Sequence, residues 1–143
     1  MINKLKKTYF CLLIPAIVGF IFIYLSKKFN LFNIGQPQFM SILAPLVFVL
    51  SVIFGIAAPI FFRSLFAQKI SNKKSTSESK LIIFERNLIR ISLVTPYLGL
   101  FAYFYEFQIF YFTATFLVTL YAVYYFYPSQ KRIAFEKKIF RVK

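Results

Sequence analysis

The chain alternates between long apolar runs and short basic stretches. The runs at 8–25, 39–62, 88–105 and 109–127 hold 18 to 24 residues each, and Arg90 is the only Lys, Arg, Asp or Glu within them. Each matches the ~20 residues that cross a ~30 Å hydrocarbon core at ~1.5 Å per residue. Buried helices of soluble proteins are usually shorter and keep a polar face. The pattern therefore predicts an all-α membrane protein with four transmembrane helices arranged as two hairpins. Residues 1–143 are expected to form a single membrane domain.

Small residues recur inside the later runs. The second has Ala44, Ser51, Gly55 and Ala58, the third Ser92, Thr95, Gly99 and Ala102, and the fourth Thr115, Thr119 and Ala122. Spacings of three, four and seven put each set on one helix face, where small side chains let backbones approach. These stripes are the expected packing seams; Leu100 lies on a different face and is expected to tolerate substitution better if that face meets lipid. Pro15, Pro45, Pro59 and Pro96 fall inside runs, where each removes a backbone hydrogen bond and tends to kink its helix. Cys11, the only cysteine, is expected as a small packing residue.

Between the hairpins, 71–80 is Ser-rich and polar and reads as a flexible cytoplasmic linker. The tail, 128–143, carries Phe135, Ile139 and Val142 at helical spacing among six basic residues. That pattern suits a short helix on an anionic surface; a disordered basic tail is the other reading. Gly35 and Pro37 break the loop at 26–38, and Tyr105–Gln108 leaves room only for a tight turn.

Charge fixes the expected orientation. Sixteen of the eighteen Lys and Arg residues lie in the N-terminal stub, the central linker and its edges, or the tail; only Lys27 and Lys28 lie in the first loop. Positive residues accumulate in short cytoplasmic loops, so both termini and the linker are expected in the cytoplasm of a bacterial cell, with the protein multi-pass in the inner membrane. The net charge of +14 flanks spans instead of forming one polar face, which favours anionic lipid headgroups over nucleic acid as partner.

Chemistry is sparse. There is no His and no Asp, and the four acidic residues are all Glu. This argues against His-ligated haem, His–Asp triads, paired-aspartate proteolysis and most zinc sites, and no cofactor or catalytic role is expected. Glu85, Arg86 and Arg90 form the densest polar group beside a span. Arg86 and Arg90, four apart, share a face that could meet a phosphate or a partner's carboxylate, or simply snorkel to headgroups. Fourteen aromatics among residues 101–127 read as interfacial belts. The expected role is a structural or accessory subunit of an inner-membrane complex, in contact with another membrane protein or with itself. A small oligomeric transporter or channel is the alternative.

Overall fold

The computed structural model describes residues 1–31 and 38–142; Gly35, Pro37 and Lys143 lie outside the described residues. The elements are α1 (Ile2–Lys28), α2 (Met40–Val52), a π-helix (Ile53–Ala57), α3 (Ala58–Ser71), α4 (Glu78–Ser92), α5 (Thr95–Phe104), α6 (Ile109–Tyr125) and α7 (Gln130–Ile139). Among the described residues, three continuous helices are long and apolar enough to cross a membrane: Ile2–Lys28, Ser41–Ser71 and Glu78–Phe104. A fourth arises when α6 and α7 are taken together, and these two are bent by 77°. With 17 residues, α6 alone spans about 26 Å, the short end of the membrane-crossing range.

The helices run past the apolar runs. The first begins at Ile2, the second reaches Ser71, and the third starts at Glu78, ten residues before its apolar run, because Leu81, Glu85, Leu88, Ile89 and Ser92 continue one buried face. The α4–α5 column packs against the α1, α2–α3 and α6 columns, and α6 also packs along α2 and the π-helix. Both Met1 and α7 lie at one end of this bundle, called here the base. Lys27, Phe107 and the Glu106 turn, where φ is 51°, lie at the far end.

Polarity is inverted relative to a soluble domain. Ile14, Val18, Phe22, Ile42, Ile60, Phe110 and Leu117 are exposed on the outside, while Ser51, Ser92, Thr95, Thr115 and Thr119 are buried within. Gly55, Gly99, Ala102 and Ala122 are buried too. A Cβ at Gly55 would lie 2.9 Å from Val118 Cγ1 and 3.0 Å from Thr95 Cγ2; one at Gly99 would lie 3.0 Å from Thr119 Oγ1. Lipid offers no hydrophobic drive between helices, so close van der Waals contact at these small residues holds the bundle.

Two breaks serve the same packing. Pro96 has no N–H for the Ser92 carbonyl four residues back, and the Thr95 hydroxyl donates to that carbonyl instead at 2.8 Å. The helix resets there, through Leu93 and Val94. Thr119 Oγ1 then reaches the Thr95 carbonyl of the neighbouring column at 3.1 Å and the Thr115 carbonyl of its own helix at 3.0 Å. Ahead of Pro59, the Ala58 N–H donates to the Ile53 carbonyl five residues back, making the π-helix.

Three expectations need correcting. The extra residue of the π-helix rotates the face that follows, so Pro59 is buried and Ala58 only half-buried. Leu100 does not face lipid: its side chain covers Gly19 of α1, whose added Cβ would meet Leu100 Cδ1 at 3.0 Å. Cys11 is exposed on α1 and fills no interior space.

Gly55→Leu should lower thermal stability of the purified protein in detergent by ~1–3 kcal/mol, through overpacking against Val118 and Thr95. Leu117→Ala, on the exposed face of α6, should change stability by no more than about 0.5 kcal/mol. Equal tolerance of both substitutions would mean that Gly55 does not sit at a close helix contact.

Candidate functional site

The base of the bundle is built by α7, and local sequence explains its direction. The chain leaves α6 at Phe126 and turns at Pro128, which is fully buried. Ser129 then caps the new helix, its hydroxyl accepting from the Arg132 N–H at 3.1 Å. Thus α7 turns away from α6 and lies against the other columns at the base.

One face of α7 carries Arg132, Ile133 and Glu136, and Phe140, which caps its C-terminus, continues that face. Ile133 enters a cluster with Leu5 and Tyr9 of α1 and Ile89 of α4. Phe140 packs with Ile70 and Leu81, edge-on to the stacked rings of Phe66 and Phe84. A single ten-residue helix therefore touches α1, α3 and α4 at once.

Between these apolar contacts lies a buried ionic cluster. Arg132 Nη2 donates to Glu85 Oε2 at 2.7 Å, with the Glu85 side chain 0% and the Arg132 side chain 14% exposed. Four residues along α7, Glu136 Oε1 receives Arg63 Nη2 of α3 at 2.9 Å. The guanidinium of Arg132 also sits 5.2 Å from the centre of the Phe126 ring, and Arg63 Nη1 lies 3.4 Å from the Tyr125 hydroxyl. Two guanidiniums and two carboxylates balance, which is what allows burial at the edge of an apolar bundle. Glu85 Oε1, Glu136 Oε2 and Arg132 Nη1 have no further hydrogen-bond partner among the described residues.

The structure separates the polar group singled out in the sequence. Glu85 points inward to Arg132 and is closed to lipid and to partners. Arg86 is half-buried, while Arg90 is exposed on the outer face with Phe62, Phe84, Asn87 and Ile91 around a hollow of about 350 Å³. Arg63, Arg132 and Glu136, which complete the cluster, were visible in the sequence only as flanking charges. A usable signal was present: Arg132 and Glu136 are opposite charges four apart, and Ile133 and Phe140 lie seven apart on the same face.

A cleft of about 110 Å³ rises from this cluster between the α2–α3 column and α6. Gly55 and Pro59 line its apolar part, Tyr121 and Tyr125 its side, and Arg63 and Arg132 its floor. At the opposite end of the bundle, Lys27 donates to the Tyr103 carbonyl, lies over the Tyr103 ring and pairs with Glu106 at 3.3 Å. Among the described residues no group of three or more metal-ligating side chains occurs. No protein-family model, curated protein or solved structure matches the chain.

Glu85→Gln leaves Arg132 without its counter-charge in a buried setting and should lower stability by ~3–5 kcal/mol, read as a lower melting temperature in detergent. Glu78→Gln, which breaks the exposed pair with Lys137, should leave that temperature nearly unchanged. Replacing Glu85 and Arg132 together by Leu should recover most of the loss.

Proposed function

We propose that this chain is a non-catalytic structural or accessory subunit of a bacterial inner-membrane assembly, multi-pass, with four spans in two hairpins and both termini cytoplasmic. The bundle with apolar exterior and polar seam supports residence in a membrane. Sixteen of the eighteen basic residues lie in segments that this arrangement puts on the cytoplasmic side.

The observation that carries the reading is the way α7 is held. Its inner face is committed to α1, α3 and α4, so its outer face is presented in a fixed direction. Lys131, Phe135, Lys138 and Ile139 are exposed there, Phe135 at 58% and Ile139 at 45%. Basic and apolar side chains alternating on one rigid helix suit anionic headgroups together with a partner protein's surface. Arg90, exposed on the outside of α4, adds to the basic rim, with the half-buried Arg86 one turn before it.

The transporter alternative draws on one feature, the cleft beside the π-helix, since π-helical turns recur at functional sites. It expects a homo-oligomer and flux in liposomes that falls on Arg90→Ala or Glu106→Gln.

Purification in mild detergent should recover a stoichiometric membrane partner, and Phe135→Ala with Ile139→Ala should reduce its recovery without changing the melting temperature. A stable lone monomer without a partner would contradict the accessory role. For orientation, cytoplasmic reporters inserted near Ser75 or fused after Lys143 should be active, and a periplasmic reporter near Gly35 should be active. A periplasmic Ser75 would overturn the orientation.

A further inference from the structure

The stretch between α3 and α4 has a composition suited to a flexible linker, yet the structure ties it down. The Thr76 N–H donates to the Arg141 carbonyl at 3.2 Å, and Thr76 forms a parallel bridge with Val142. So fixed, the stretch closes a pocket of about 220 Å³, lined by Lys69 and Ile70 of α3, Lys73, Ser75 and Thr76, and Lys80 in the first turn of α4.

Three features of the pocket point to one ligand chemistry. Three lysines line it, and no acidic residue does; Glu78, the acid nearest in sequence, is held by Lys137 at 2.9 Å. Thr76 is 4% exposed, and its hydroxyl has no hydrogen-bond partner among the described residues, a costly state for a buried polar group. Lys80 lines the pocket from the first turn of α4, a fifteen-residue helix whose first N–H groups have no side-chain cap and whose first turn also holds Glu78.

We propose that this pocket binds a phosphate group, carried either by an anionic phospholipid or by a small phosphorylated solute. A tetrahedral phosphate offers several acceptor oxygens at once, enough for Lys69, Lys73 and Lys80 as point charges and for the Thr76 hydroxyl as donor. The pocket is too small for a folded partner. Its chemistry stands apart from the accessory-subunit role; only the lipid source rests on the base of the bundle meeting headgroups. A bound phosphate would also neutralise the crowd of ammonium groups that the Thr76–Val142 bridge holds together.

The test uses the full-length protein in two settings. In detergent, binding of inorganic phosphate and of glycerol 3-phosphate is measured by calorimetry. In phosphatidylcholine nanodiscs containing phosphatidic acid, retained lipid is measured by native mass spectrometry. At least one probe should bind saturably. Soluble probes binding alone identify a solute, and phosphatidic acid binding alone identifies a lipid. Lys73→Gln with Lys80→Gln should weaken that binding about tenfold or more, the effect of losing charge-assisted hydrogen bonds. Thr76→Val should weaken it in the same direction. Lys27→Gln with Lys28→Gln removes the same charge at the far end of the bundle, away from the pocket, and should leave affinity unchanged. Absence of saturable binding by every probe, or equal behaviour of the two double variants, would overturn the proposal.

Discussion

The scarcity of negative charge organises this protein. Four carboxylates face eighteen basic residues, and each carboxylate pairs with a base from another element: Glu78 with Lys137, Glu85 with Arg132, Glu106 with Lys27 and Glu136 with Arg63. Three of the four pairs join α7 to α3 and α4. The two buried pairs add little net stability over apolar residues of the same shape, since desolvation offsets their attraction. What they supply is position. An unpaired Glu85 or Arg132 in this setting is costly, so only one placement of α7 satisfies both α3 and α4. Ile133, Phe140 and the Thr76–Val142 bridge then follow from where α7 lies.

The rest of the bundle obeys the constraint that lipid cannot satisfy backbone groups. Pro96 frees the Ser92 carbonyl, and Thr95, the residue directly before it, supplies the missing donor. Pro59 is preceded by a π-helix that brings Gly55 against Val118 and Thr95 and turns Pro59 inward. At Pro96 an interior hydroxyl thus completes the interrupted helix, while small residues bring the helices together. The same irregularities open the cleft beside Gly55 that descends to Arg63 and Arg132.

Much of the helical content was legible in the sequence because apolar length is a direct measure of membrane thickness, and the seams because 3.6-residue periodicity marks a face. The arrangement of the base was not. Glu85 meets a partner 47 positions later, and no local pattern encodes that distance. The Ala58 seam position shifted because a π-helix inserts a residue that regular periodicity does not anticipate. In the tail, the Phe135–Ile139–Val142 stripe was readable, but Phe135 and Ile139 are the outward residues. The inward set, Arg132, Ile133, Glu136 and Phe140, mixes charge with apolar side chains and so escapes a purely hydrophobic reading. The linker's Ser and Lys content suggested flexibility, whereas its pairing with the C-terminal segment joins Thr76 to Arg141 and Val142, far apart in sequence.

The central claim, that buried ion pairs clamp α7 to the base, is tested most directly by hydrogen exchange. A ten-residue helix is not stable alone in water, so slow exchange of its amides reports docking and not intrinsic helicity. In the full-length protein in nanodiscs, the amides of α7 from Ile133 to Ile139 should be strongly protected, and Arg132→Met should release them while α6 stays protected. Amides of α7 that exchange in the unsubstituted protein as fast as an unstructured tail would contradict the account.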